Sequence, residues 1–182
     1  LNSSIKFTKE IIIVYDTDKE NALNVAKELS EEFENVKLIH NTKARGVKHA
    51  VDVGIQNAKY DVIMIFAVDE IFPVIAIDKM LTHLIENDLD FISGTRYSKG
   101  GIRLGGSFLG AIFSRTANKL FNLFTNIPLT DCTTGIKMMK KKVWNEIQLE
   151  SKPIGWAYAF ELTIKVYLGN YKVDEFPLKS VD

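Results

Sequence analysis

The stretch "DVIMIFAVDEIFP" (Asp61–Pro73) decides how the rest of the chain reads. Its apolar run from Val62 to Val68 stops on two adjacent carboxylates, Asp69 and Glu70, with Pro73 three residues on. An unbroken apolar run of this length, rich in β-branched residues, reads as a strand buried on both faces. Two neighbouring carboxylates repel each other, and burial would worsen the repulsion. They are tolerable where water solvates a strand end, or where a cation sits between them and an anion. A solvated turn is the plain reading; what surrounds the strand favours the cation.

Outward from this strand the chain alternates. "EIIIVY" (Glu10–Tyr15) precedes a stretch with Ala22, Val25, Ala26 and Leu29 at helical spacing, and "VKLIH" (Val36–His40) precedes one with Val47, Ala50, Val51 and Gly54 on one face. After Asp61–Ala67 comes a third helical stretch opened by Pro73 at a favourable first-turn position, then the strand "DFISGTRY" (Asp90–Tyr97). This rhythm predicts an α/β fold, a mostly parallel sheet with helices on both faces. The second half is less regular: a long helix over Ser107–Phe124, a loop "TNIPLTDCTTG", a strand "IKMMK", a helix around "YAFELTIKVYLG" and a last strand "YKVDEFPL".

The 182 residues predict one domain, able to bury roughly 70% of its unfolded surface. Twenty-three basic residues balance twenty-three acidic ones, which argues against a general nucleic-acid binder. Cys132 is the single cysteine, so neither a disulfide framework nor a cysteine zinc site is available. No apolar run reaches the roughly 18 residues that a membrane-spanning helix needs.

Ligands of open α/β sheets collect beyond the carboxyl ends of the strands. Asp16, Asp69 with Glu70, and Arg96 fall at three such ends. Two anionic positions and one cationic suit a ligand with a hydrogen-bonding base and phosphates, and adjacent carboxylates can hold Mg²⁺ or Mn²⁺ shared with phosphate oxygens. No Ser-His-Asp or Cys-His set stands out; His40, His49 and His83 read as structural or surface groups.

In order along the chain, "EIIIVYDTDKENA", "RGVKHAVDVGIQNAKYDVIMIFAVDEIFP", "DFISGTRYSKGG" with "FSRTANKLFN", "LTDCTTGIKMMKKKVW" and "AYAFELTIKVYLGNYKVDEFPLKSVD" resemble the family 2 glycosyltransferases of the GT-A fold, specifically the dolichyl-phosphate (polyprenyl-phosphate) mannosyltransferase group. The resemblance implies a nucleotide-diphospho-sugar transferase sheet, Rossmann-like, in a single GT-A domain over residues 1–182. It implies that Asp16 and Val14 line the nucleotide pocket. Asp69 closes a "DxD" element as metal and diphosphate ligand, with Val68 at its middle position. Arg96 contacts the donor, Ser114 and Arg115 meet the acceptor lipid phosphate, and Asp131 and Thr134 belong to a turn beside the site. The implied catalytic set is Asp69, Arg96 and Asp131, and the implied metal ligands are Asp69 and Glu70 for Mg²⁺ or Mn²⁺. The implied reaction is inverting transfer of a sugar from a GDP-mannose- or UDP-glucose-type donor to a polyprenyl phosphate, by a protein held peripherally at the cytoplasmic face of a membrane. No nucleic acid is involved.

The chain departs from the family pattern at Ala67, which replaces the first aspartate of "DxD", at Tyr15 and Thr17 around Asp16, and at Lys48, where a glycine is usual. Lys48 could reach phosphate or be a solvated helix residue. Relative to the family the domain looks truncated at both ends. These departures leave a second expectation, a catalytically weakened GT-A module that binds a nucleotide, a lipid or a protein. A nucleotidyltransferase is disfavoured, because no glycine-rich phosphate loop follows the first strand. The aromatic helix over Ser107–Phe124 fits both an ordinary core-facing helix and one resting on a bilayer, on different faces.

Overall fold

The computed structural model describes residues 5–17, 22–66, 72–105, 108–152 and 157–181. Two β-branched runs make β1 (Ile11–Tyr15) and β2 (Val36–His40), parallel and joined through α1 (Leu23–Glu32). The amphipathic α2 (Val47–Gln56) leads to β3 (Val62–Ile65). A 3-10 turn over Phe72–Ala76 then precedes α3 (Ile77–Glu86), so the helix expected to open at Pro73 winds tightly for one turn first. Next come β4 (Phe91–Thr95), a short β5 (Ile102–Leu104) and the long α4 (Phe108–Thr125). Helix α4 ends at Asn126, whose φ of 57° is the left-handed conformation asparagine tolerates and which stops a helix. The chain closes with β6 (Lys137–Lys140), α5 (Lys141–Glu146), α6 (Ala157–Leu168), β7 (Val173–Pro177) and β8 (Lys179–Val181).

Among the described residues the strands form three hydrogen-bonded groups: β1-β2, β3-β6-β4-β7, and β5-β8. Three of the five ladders are parallel; β6 runs antiparallel to both of its neighbours. Because β6 points the other way, the loop entering it lies at the same sheet edge as the carboxyl ends of β3 and β4. One face of the four-stranded sheet packs Ile63, Ile65, Phe91 and Met139 against Ile55 of α2, Val143 and Trp144 of α5, and Leu162 and Val166 of α6. The other face packs Ile92, Met138 and Leu178 against Met80 and Leu84 of α3. Helix α2 also carries the β1-β2 pair: Gly54 lies so close to β1 that a Cβ there would be 3.3 Å from Val14 Cγ2.

Candidate active site

Two polar clusters form at strand ends. The first follows β1. Asp16 accepts hydrogen bonds from Asn41 Nδ2 at 2.7 Å and from the Gly46 backbone N–H at 2.8 Å, fixing the loop between β2 and α2. Gly46 caps α2 at φ 120°, a conformation that favours glycine. Val14, expected in the nucleotide pocket, turns its side chain to Gly54 of α2. Beside Asp16, Tyr15 stacks on His40 with ring centroids 4.9 Å apart.

The second cluster joins β4, α4 and the loop before β6. Arg96, immediately after β4, donates from Nε to Asp131 Oδ2 at 2.8 Å and from one terminal nitrogen to Asp131 Oδ1 at 3.2 Å and Thr133 Oγ1 at 2.8 Å. Its position is fixed by backbone contact: a Cβ on Gly101 would lie 2.8 Å from the Arg96 carbonyl carbon. Asp131 is fully buried. Burial alone would raise its carboxyl, but the hydrogen bonds and charge of Arg96, then Thr133 and the Lys137 charge, hold it below the usual carboxylate range.

Helix α4 enters the same cluster. Ser114 Oγ accepts from the Tyr97 hydroxyl at 2.9 Å, and Asn118, buried one turn on, accepts from the Cys132 N–H at 2.8 Å. The guanidinium carbons of Arg96 and Arg115 each lie 5.3 Å from the Tyr97 ring centroid, so one aromatic ring holds two cations. The structure therefore brings Arg96, Asp131, Ser114 and Arg115 together, and joins Asp16 to Asn41 and Gly46. Val68, Asp69 and Glu70 lie outside the described residues, as does Ala67; among the described residues no group of three His, Cys, Asp or Glu could hold a metal. Thr134, the other member of the turn beside the site, uses its hydroxyl to accept from the Ile136 N–H at 3.2 Å.

Lys48 takes neither of its expected parts. Its ammonium donates to the carbonyls of Leu149 and Ser151, tying α2 to the chain beyond α5. His83 bonds Asp174 at 2.7 Å. Burial pushes the Cys132 thiol up to about 11, which suits an inert core thiol. Sequence reading missed Tyr97, Asn118, Thr133, Ser93 and Lys137. Asn118 had a signal, standing four residues after Ser114 on the same helix face; Lys137 in "IKMMK" had none.

The outer face of α4 is apolar. Leu109, Phe113, Leu120, Leu123 and Phe124 are exposed, the last two at 72% and 81%, while Phe121 turns inward to meet Phe160 edge-on at 5.1 Å. No helix among the described residues is long and apolar enough to cross a membrane.

The chain is 31% identical over 173 residues to a dolichol-phosphate mannosyltransferase of Pyrococcus furiosus, covering 92% of this chain and 47% of the relative. It is 20% identical to the glycosyltransferase AglD of Haloferax volcanii, covering 93% of this chain and 27% of the relative. The chain thus spans about half or less of the length of these relatives. Among solved structures, glucosyl-3-phosphoglycerate synthase of Mycobacterium tuberculosis, in complex with Mn²⁺, UDP and glucosyl-3-phosphoglycerate, superposes with a TM-score of 0.73 at 11% identity, over 97% of this chain and 63% of that one. A mannosyltransferase of Pyrobaculum calidifontis with GDP-Man and Mn²⁺ gives 0.67 at 13% identity, over 100% of this chain and 50% of that one. These likenesses establish the GT-A fold. The family model for glycosyl transferase family 2 matches residues 1–148, and with it the ordered motifs, the α/β architecture and the clustered strand ends resolve into one assignment: the chain belongs to glycosyl transferase family 2.

Proposed function

We propose that this domain performs inverting transfer of a hexose from a nucleotide sugar of the GDP-mannose or UDP-glucose type to a polyprenyl phosphate, at the cytoplasmic face of a membrane. The observation that supports it best is the cluster of Arg96 and Tyr97, after β4, with Ser114 and Arg115 of α4, a helix whose outer face is apolar and exposed. Two guanidiniums and a hydroxyl suit phosphate oxygens, and an apolar helix face with Arg115 and Lys119 also exposed suits a lipid surface.

A lipid phosphate is already anionic at neutral pH and attacks the anomeric carbon without a strong general base. A phosphate oxygen forms the new bond to that carbon while the bond to the diphosphate breaks, and the leaving nucleoside diphosphate takes the electron pair. The protein's work is to hold two anions in line and to neutralise the charge that develops. Arg96 faces the donor, Ser114 and Arg115 the acceptor. Asp131, sealed from solvent, takes part by orienting Arg96. Asp16 and the loop it fixes hold the nucleoside. Asp69 and Glu70 are hard oxygen donors of the kind Mg²⁺ and Mn²⁺ take, and phosphate oxygens would complete so small a set. Bound there, the ion supplies Lewis-acid neutralisation of the diphosphate.

The test is transfer of radiolabelled mannose or glucose from its nucleotide donor to polyprenyl phosphate in detergent with Mn²⁺. Arg115→Ala should raise the acceptor KM by about tenfold. A protein that neither transfers nor binds any common donor ends this reading. Ala67 supports the second reading, a non-enzymatic GT-A module that keeps only the binding of a nucleotide, a lipid or a protein. Under it, Ala67→Asp fails to produce metal-dependent activity; in an impaired enzyme the same change increases turnover.

A further inference from the structure

Lys137 is the buried charge that this mechanism leaves without a part. In register across the four-stranded sheet, Ile65 of β3, Lys137 of β6, Ser93 of β4 and Glu175 of β7 form one row. Directly opposed residues share a face, so the row lies at the sheet edge beneath the loop that carries Asp131. Lys137 is fully buried. Its ammonium donates to Ser93 Oγ at 2.7 Å, and Ser93 Oγ lies 3.0 Å from the Asp131 carbonyl oxygen and 3.3 Å from that of Gly94. An ammonium can only donate. Ser93 must therefore accept from it, which leaves the hydroxyl hydrogen for a carbonyl, Asp131 being the nearer.

We propose that Lys137 is a positioning residue for Arg96, acting through Ser93 Oγ on the backbone of Asp131 and through its charge on the Asp131 carboxylate. The proposal rests on the transferase reading above. Next to Ser93 in the row, Glu175 accepts from Thr130 Oγ1 at 2.9 Å, so two neighbouring members of the row grip consecutive residues of the same loop, Thr130 and Asp131. The ionisable groups whose charges bear on Lys137 are Asp131 and Cys132 of the loop and Arg96 at the end of β4, and its ammonium also lies 5.8 Å from the centroid of the Phe91 ring. The Arg96–Asp131 pair is neutral taken alone. A third charge beneath it, where water cannot screen it, helps keep the Asp131 carboxylate ionised and seated as the acceptor of the Arg96 Nε–H. For stability alone an apolar side chain of equal length would serve better, because a buried ammonium carries a desolvation cost that methionine does not.

That contrast supplies the test. In Lys137→Met the melting temperature should hold or rise while kcat falls about 10- to 100-fold, the range expected when a reacting group is displaced by about an ångström. The Arg96 Nε–H, bonded to Asp131 at 2.8 Å, should exchange faster with water by ¹⁵N NMR. Lys137→Gln, which keeps a donor for Ser93 without the charge, should fall between the two and replaces Lys137→Met if that variant does not fold. A folded variant in which either kcat or Arg96 exchange stays at the wild-type value overturns the proposal. So does a parallel loss of melting temperature and kcat with unchanged exchange, which would mark Lys137 as structural only. If the wild-type protein transfers no sugar, the transferase reading falls, and Arg96 exchange alone decides whether Lys137 positions Arg96.

Discussion

The β1-β2 pair and the four-stranded sheet each end near an aspartate, and the two aspartates are spent differently. Asp16 follows a strand whose five residues are all half-buried, and it accepts hydrogen bonds from an amide and a backbone N–H. Asp131 sits beside the end of a strand whose five residues are all buried and faces a guanidinium, the Thr133 hydroxyl and the charge of a buried lysine. Two strands alone are marginal in water, so the first pair depends on α2, which reaches β1 with Gly54 and the main core with Ile55. The lesson is a division of labour. Asp16 fixes a loop through an amide and a backbone N–H, whereas Asp131, buried beside a guanidinium, spends its charge on holding a neighbour.

Removing Arg96 should break the second arrangement outright. In Arg96→Ala a fully buried carboxylate loses its principal counter-charge, which costs about 3–5 kcal/mol and, for a chain of this size, roughly 10 °C in melting temperature. Calorimetry checks it, and a loss under about 1 kcal/mol would mean that Asp131 is neutral in the fold, contrary to its depressed carboxyl. The matching change in the first arrangement should be milder. Asp16→Asn leaves either Asn41 or the Gly46 N–H without its acceptor, at about 1–2 kcal/mol, while nucleotide affinity falls about tenfold under the proposed role. Equal stability losses in the two variants would erase the distinction.

The same contrast explains what could be read from residues alone. The strands β1, β2 and β3 were legible because β-branched runs bounded by polar residues admit little else, and α2 because its apolar positions recur at helical spacing. The reversed direction of β6 was not, since "IKMMK" carries no mark of which way it runs. Arg96 and Asp131 stand 35 residues apart and were linked only through family resemblance; their contact is made by the sheet, which sets the mouth of antiparallel β6 beside the end of β4. Lys137 was invisible because a lysine in a strand ordinarily faces water. Here it sits on the inner face of a central strand, and only the register shows that Ser93 is there to receive it.

The buried lysine also predicts a pH response that β1-β2 cannot give. Burial pushes the Lys137 ammonium down to about 8, against the pull of Asp131. Between that value and the ordinary 10.5 the unfolded chain binds more protons, so the penalty of a buried charge is relieved and stability rises with pH. Cys132 acts in the opposite sense above its ordinary value of 9.0, because its thiol is pushed up to about 11 in the fold. The clean window is pH 8 to 9, worth about 1 kcal/mol. Lys137→Met should lack the rise while keeping the Cys132 decline. If Lys137 positions Arg96, wild-type turnover falls through this window as stability climbs, a divergence that a purely structural lysine would not produce.

The smallest expected effect on stability comes from α4. Its inner face is committed, with Asn118 and Phe121 built into the loop and core contacts. Leu123 and Phe124 are 72% and 81% exposed, so replacing both with serine removes little packing and should change stability by less than about 0.5 kcal/mol. A cluster of exposed apolar side chains beside Arg115 and Lys119 is otherwise an aggregation hazard, which gives the substitution a second, measurable side. The double variant should stay folded and become more soluble, yet lose most of its sedimentation with phosphatidylglycerol vesicles. Arg115→Ala, by comparison, should weaken vesicle binding by about 1 kcal/mol and make what remains less sensitive to salt. Were the serine variant to bind vesicles as the wild type does, the exposed face of α4 would have no part in reaching a lipid acceptor, and Arg96, Ser114 and Arg115 would then have to be read as a site for a water-soluble phosphate.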